Sequence, residues 1–210
     1  MRECPLCGNE IIRGKCTKCE YEPKDKTYGD GRDKDMEVKS ERKQYSQERR
    51  NKELTQSLVT LESALLYERN MQDTFSLLSA SLTILSLPLK LQPDQDIDLN
   101  KKEKKLIKMS DRIIQQYRSN GGNGYERPEI YIKLGNAHFF CGEYKKALEY
   151  YDMALRGYPR HKIATYNKSL TFFSLKNYEK SLKGLKKVLK INPDDKEARY
   201  LLELVEQMNV

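Results

Sequence analysis

The sequence has no tryptophan and only two histidines among its 210 residues, and hydrophobic residues make up only 38% of it. This composition suits solvated helices better than one large enclosed active site. No run of about 18 apolar residues is present, and cysteines and charges stand where a signal peptide would be apolar. We therefore expect a cytoplasmic protein that does not enter a membrane.

Sequence motifs of common catalytic sites are also missing. The chain has no G-x-S-x-G, H-E-x-x-H or G-x-x-x-x-G-K pattern. The two histidines, His138 and His161, are expected at a core position and in a turn, without a catalytic role. Cys141 is isolated from the other cysteines, and we interpret it as a packing or surface residue. We expect a protein that is not an enzyme and has no small-molecule substrate.

Cysteine is concentrated near the N-terminus, in two C-x-x-C pairs separated by eight residues, Cys4, Cys7, Cys16 and Cys19. The chain between the pairs can form a small hairpin with Ile11 and Ile12 extended. Four thiolates suit one tetrahedral, structural Zn²⁺ without an open position. The alternatives are a pair of disulfides and an iron site, since C-P-L-C-G resembles a rubredoxin knuckle. We predict a Cys4 zinc ribbon, or zinc knuckle pair, over residues 1–22.

The middle of the chain changes from charged to amphipathic. Residues 23–53 are rich in charge and poor in large apolar side chains, which is typical of a linker or a solvated helix. Residues 54–87 have apolar residues at helical spacing with a phase slip, so they form one helix or two, ended by Pro88 and Pro93. Residues 102–119 form a further amphipathic helix. The expected segments are 1–22, 23–53, 54–127 and 128–210.

The last part of the chain repeats itself with a period of 34 residues. The shift aligns Tyr144 with Tyr178, Leu148 with Leu182, Leu155 with Leu189 and Pro159 with Pro193. Such a period indicates stacked helical units. In the first unit, 128–161, the residues at signature positions are Tyr131, Leu134, Gly135, His138, Ala147, Tyr151, Ala154 and Pro159. In the second unit, 162–195, they are Thr165, Lys168, Ser169, Phe172, Ser181, Leu185, Val188 and Pro193.

These positions resemble the tetratricopeptide repeat family. The resemblance implies a mainly α-helical solenoid of stacked hairpins, each with a helix A and a helix B, followed by a capping helix. It also implies a groove lined by the A helices that binds a peptide or helix of a partner protein. The groove residues by this resemblance are Ile132, Asn136, Phe139, Phe140, Tyr166, Asn167 and Leu170. Two repeats are few for a stable stack, so we expect residues before 128 to supply a degenerate extra unit.

A row of lysines is the other candidate surface. Lys176, Lys180, Lys183, Lys187 and Lys190 recur at helical spacing, and the chain has a net charge of +8. This row is either a solvated helix face or a contact for a polyanion such as ribosomal RNA. The sequence thus favours a protein–protein adaptor, with a ribosome- or nucleic-acid-associated factor as the alternative. It leaves the partner, the pathway and the oligomeric state open.

Overall fold

The computed structural model describes residues 11–12, 15–16, 31–66, 71–120 and 127–208, and for 11–12, 15–16, 31–42, 64–66 and 71–75 only the backbone. The chain divides into two compact units, Met1–Thr55 and Gln56–Val210. The strands are β1 (Ile11–Ile12) and β2 (Lys15–Cys16). The helices are α1 (Gly31–Leu66), α2 (Met71–Thr83), α3 (Lys101–Ser119), α4 (Pro128–Phe140), α5 (Tyr144–Gly157), α6 (Lys162–Ser174), α7 (Tyr178–Ile191) and α8 (Lys196–Met208).

The strands β1 and β2 pair antiparallel, with Ile11 opposite Cys16 and Ile12 opposite Lys15. The extended conformation predicted for Ile11 and Ile12 is therefore present. Cys4, Cys7 and Cys19 lie outside the described residues, as does the side chain of Cys16. The zinc ribbon stays a prediction.

Helix α1 begins at Gly31, so its first residues belong to the segment expected to be a linker or a solvated helix. Between Lys43 and Glu53 its side chains are mostly exposed, which fits their charge. The apolar spacing of 54–87 belongs to two helices, since α1 ends at Leu66 and α2 begins at Met71. Of the described helices, none has the length and apolar character needed to cross a bilayer.

The prolines after α2 do not end a helix, contrary to the sequence-based expectation. Helix α2 already ends at Thr83, and Ser86 has a left-handed φ of 52°. Pro88 and Pro93 lie in a non-helical segment between α2 and α3. Helix α3 then begins with a capping box, in which Asn100 and Glu103 accept each other's backbone N–H groups.

Two helical hairpins form the core of the larger unit. Helix α4 packs on α5, α6 packs on α7, and α8 covers α7 as the terminal helix. The first hairpin needs a glycine, because a Cβ on Gly135 would overlap the ring of Tyr151. In the second hairpin Ser169 takes the place of Gly135 one period later, and the close approach is made by Gly184 instead. The expected stack of helical hairpins is confirmed, and a further helix, α8, packs against the second hairpin.

Helices α2 and α3 also contact α4, where we expected an additional helical unit. The contact between α3 and the first hairpin is polar as well as apolar. The Tyr150 hydroxyl donates to Asp111 Oδ1 at 2.7 Å, and His138 Nε2 lies 2.9 Å from the same oxygen. His138 Nδ1 lies 2.7 Å from Glu143 Oε2. This network around the buried His138 links α3, α4 and α5 through side chains.

Candidate peptide-binding groove

Side chains from the A helices, α4 and α6, hold the backbone of residues Leu87–Leu91, hereafter the groove segment. Asn136 Nδ2 donates to the carbonyl oxygens of Pro88 and Leu89, at 2.6 and 3.0 Å. Asn167 Nδ2 donates to Leu89 O at 2.8 Å, and Asn167 Oδ1 accepts the N–H of Leu91 at 3.0 Å. The two amides therefore fix the segment through main-chain atoms.

The two asparagines also bind each other. Asn167 Nδ2 donates to Asn136 Oδ1 at 2.9 Å, and the same oxygen accepts the hydroxyl of Tyr151 at 2.8 Å. These contacts leave one orientation for each amide, because both hydrogens of each NH₂ group point at acceptors. Since Tyr151 is the residue that packs against Gly135, the groove is positioned by the core of the first hairpin.

The side chain of Lys90 lies at an acidic end of the groove. Its Nζ donates to Asp195 Oδ1 at 2.6 Å and to Glu197 Oε2 at 2.8 Å, and lies 4.4 Å from the centroid of the Tyr166 ring. Burial raises the pKa of Asp195, but hydrogen bonds from Lys90 and from the N–H of Ala198 outweigh it, so the pKa lies below its ordinary value. Two carboxylates and an aromatic face thus select a cation at this position.

Leu91 anchors the other side of the segment. Its side chain is fully buried in the main apolar cluster of the repeats. That cluster includes Tyr166, Leu170, Leu201 and Val205. A leucine of this kind contributes about 2 kcal/mol by burial, so the groove binds one apolar side chain next to the cation.

Comparison with known protein families identifies the two hairpins. A tetratricopeptide repeat model matches residues 128–161, and a second model of the same repeat matches residues 164–195. These two hairpins are tetratricopeptide repeats. Repeats of this type generally mediate protein–protein interaction, and their proteins are typically non-enzymatic adaptors. No curated protein matches the chain.

The repeats bring the predicted groove residues together, but the groove is not open. Asn136, Tyr166 and Asn167 lie side by side on the two A helices, and all are fully buried. A groove that binds a partner needs accessible side chains, and these three are not accessible, because the groove segment covers them. Ile132 and Leu170 are buried as well. Phe139 and Phe140 are half-buried and pack edge to face.

One polar atom of the groove is unsatisfied. The Tyr166 hydroxyl is buried and meets no hydrogen-bond partner among the residues that the structure describes. Burial raises the pKa of Tyr166, with Glu197 and Asp195 adding to the effect, so the group is a neutral phenol. A buried hydroxyl without a partner costs about 1–3 kcal/mol. The groove therefore contains one polar group that the groove segment does not satisfy.

The lysine row of the second repeat is only partly as predicted. Lys180, Lys183 and Lys187 lie on α7 and line a cleft of about 450 Å³. Lys176 is not on the helix: it lies in the preceding turn, with a φ of 58°. Lys190 is exposed on α7 but does not line the cleft.

Lys168 of α6 completes this lysine cleft, which we define by Lys168, Lys180, Lys183 and Lys187 around Phe172. The Nζ atoms of Lys180 and Lys168 lie 5.4 and 5.8 Å from the centroid of the Phe172 ring. Among the described residues, Asp152 is the one carboxylate in the lining, and it pairs with Lys168. The cleft is thus cationic, with an apolar floor.

The two histidines and Cys141 make local contacts in the repeats. His138 is buried between carboxylates, as described above, and His161 Nδ1 accepts the N–H of Ala164 at the start of α6. Burial raises the pKa of the Cys141 thiol, and Glu143 adds to this, so the group is not an activated nucleophile.

Sequence reasoning missed Lys90, Asp195, Glu197 and the groove segment itself. The available signal was the stretch Leu-Pro-Leu-Lys-Leu-Gln-Pro, in which prolines flank an apolar segment with a single charge. Such a composition favours an extended conformation.

Proposed function

We propose that the chain is a non-enzymatic adaptor whose repeat groove binds an extended segment of a partner protein. The main support is the grip of Asn136 and Asn167 on the main-chain atoms of the groove segment. Because these contacts use only backbone groups, they can hold an extended segment of a different sequence equally well. The apolar pocket and the acidic end then add side-chain selectivity.

Glu197 offers the test of this proposal, because its side chain is 54% exposed and its charge can be reversed without disturbing the core. We expect Glu197→Lys to lose partners whose segment places a cation in the groove. Glu203→Lys on the exposed side of the same helix is the matched control. Proteins captured from cell extract by the unchanged chain and both variants are compared by mass spectrometry. Identical partner sets for all three would contradict the groove as the binding site.

The four N-terminal cysteines are proposed to hold one structural zinc ion. The support is their spacing together with the antiparallel pairing of β1 and β2, which reverses the chain between the two C-x-x-C pairs. Zinc bound by Cys4, Cys7, Cys16 and Cys19 would stabilise a segment too small to fold by itself.

The zinc proposal predicts about one zinc per chain by elemental analysis of freshly reduced protein. Cys16→Ser should lose it, while Cys141→Ser, which changes a cysteine outside both pairs, should retain it. Redox-active iron, or protein without metal, would contradict the assignment. The helical circular dichroism signal should change little in either variant, because the repeats have their own core.

The lysine cleft supports a second candidate function, contact with a polyanion such as ribosomal RNA. The observation in its favour is the set of four lysines around Phe172 with the single carboxylate Asp152. Phosphate contacts of this kind make affinity fall steeply with salt. Binding of a short RNA measured at two salt concentrations tests it, and an affinity independent of salt would exclude it.

A further inference from the structure

The groove segment has the chemistry of a bound peptide rather than that of a packed loop. Its carbonyls at Pro88 and Leu89 and its N–H at Leu91 are bound by Asn136 and Asn167. A separate peptide chain could make the same contacts, since none of them depends on the covalent connection to α2 or α3. The groove is therefore closed by a ligand that belongs to the same chain.

Three positions of the segment have a defined requirement. Position 88 is held through its carbonyl, so proline, which has no N–H to donate, fits there and restricts the backbone. Position 90 must be a cation, because Asp195 and Glu197 would otherwise face each other unpaired. Position 91 needs an N–H for Asn167 and an apolar side chain for the buried cluster. The pattern is Pro-x-Lys-apolar.

Three features of the structure allow the segment to leave the groove. It lies between α2 and α3 in a stretch without helix, so leaving the groove unfolds no helix. Ser86, directly before it, has a φ of 52°, a conformation that costs energy for a residue other than glycine. The hydroxyl of Tyr166, whose ring lies under the Lys90 ammonium, is buried without a hydrogen-bond partner in the described chain.

Access from solvent is provided beside the charged end of the segment. A cleft of about 430 Å³ is lined by Lys90 and by Asp195 and Glu197, the carboxylates that bind it. An incoming cation can reach these carboxylates before Lys90 has left them. The exchange can therefore start at this end, with the buried Leu91 following.

We propose that Leu87–Leu91 is an internal ligand that closes the repeat groove, and that a partner displaces it with an extended segment of the pattern Pro-x-Lys-apolar. This inference rests on the proposed adaptor function and adds the partner's chemistry and the regulation of the site. A partner that also bonds the Tyr166 hydroxyl has an advantage over the internal ligand. Because the internal ligand competes with the partner, the apparent affinity for the partner equals the affinity of the open groove multiplied by the fraction of molecules whose groove is open.

The test uses the full-length chain and a fluorescent peptide with the sequence of residues 84–95. Lys90→Glu removes both ion pairs of the internal ligand while leaving its backbone contacts and the buried Leu91 in place. We expect this variant to bind the peptide at least tenfold more tightly than the unchanged chain, by fluorescence anisotropy. Lys108→Glu, an equal charge change at an exposed position of α3, should bind like the unchanged chain. A peptide with Glu in place of its lysine should bind none of them.

The rate of hydrogen exchange at the Leu91 amide distinguishes a failure of the internal-ligand proposal from a failure of the adaptor proposal. Equal peptide binding by the unchanged chain and Lys90→Glu would overturn the internal ligand but keep the adaptor function. Fast exchange of this amide in Lys90→Glu without any peptide binding would show an open groove that takes no peptide, and both proposals would fall. A second opened variant, Leu91→Ser, removes the apolar anchor, and circular dichroism verifies that each variant is folded. If both variants keep the segment protected and bind nothing, the segment is a fixed part of the fold and the inference is wrong.

Discussion

The lysines of two surfaces, the groove and the lysine cleft, have opposite surroundings. In the groove, Lys90 is bound by Asp195 and Glu197 and lies over the Tyr166 ring. In the lysine cleft, four cations share the single carboxylate Asp152. The groove is a completed binding site with its ligand in place. The lysine cleft is an exposed cationic surface without a ligand. Changes in the groove should therefore affect stability, whereas changes in the cleft should affect only interactions with anions.

The largest expected effect comes from the core that supports the groove. Gly135→Ala places a Cβ against the fully buried ring of Tyr151, whose hydroxyl binds Asn136. Overpacking of this kind costs about 1–3 kcal/mol, and we expect the upper end because the ring cannot move without losing that bond. Urea unfolding measures the loss.

The double variant with Tyr151→Leu serves as the control for Gly135→Ala. The smaller side chain removes the overlap, so the two changes together should cost less than the sum of the single changes. If the two losses of stability simply add, the Tyr151 ring is not what the new Cβ overlaps. The groove and the first hairpin would then be less tightly coupled than their contacts indicate.

The charged end of the groove predicts a dependence on pH. The pKa of Asp195 is depressed in the folded chain, so its stabilisation is complete above the unfolded pKa of about 3.9 and is lost as pH falls through the folded value. Asp195→Asn keeps an oxygen that can accept from Ala198 and from Lys90 but loses the negative charge that pairs with Lys90. We expect a cost of about 1–2 kcal/mol at pH 7.

The same comparison repeated in acid provides the check. The difference in unfolding free energy between Asp195→Asn and the unchanged chain should begin to shrink as pH falls below the unfolded pKa of about 3.9. It should disappear only below the depressed folded pKa, where the carboxyl is neutral in both states. A difference that stays constant as the solution is acidified would assign the effect to the shape of the side chain at the start of α8 rather than to its charge.

The repeated part of the fold could be predicted because its signal is local and periodic. Tyr144 and Tyr178 open equivalent helices one period apart, and the hairpins follow from that spacing. The occupied groove could not be predicted in the same way. Lys90 and Asp195 are 105 residues apart, and the groove segment has neither helical nor strand periodicity. Asn136 and Asn167 were correctly placed on neighbouring A helices, but what covers them depends on the three-dimensional path of α2 and α3.

The turns of the two repeats allow a stabilising change. Gly142 has a φ of 73°, and Lys176, one period later, has a φ of 58°. A left-handed conformation costs a residue with a Cβ about 1 kcal/mol relative to glycine. Lys176→Gly should therefore stabilise the chain by about 0.5–1 kcal/mol in urea unfolding. Lys186→Gly, within α7, is the control and should destabilise by about 1 kcal/mol. Loss of stability in Lys176→Gly would mean that the lysine side chain itself contributes.

The smallest change in stability is expected in the lysine cleft. Lys183 and Lys187 are exposed on α7, and among the described residues neither forms an ion pair. The double variant Lys183→Glu and Lys187→Glu should shift the free energy of unfolding by no more than about 0.5 kcal/mol, the usual range for surface positions. Its effect on the affinity for a polyanion should be large by comparison, because two phosphate contacts are lost. The slope of log affinity against log salt concentration should become shallower by about two. A chain that loses stability instead, with unchanged anion binding, would place these lysines in the structure of the repeat, and the contrast between the two surfaces would not hold.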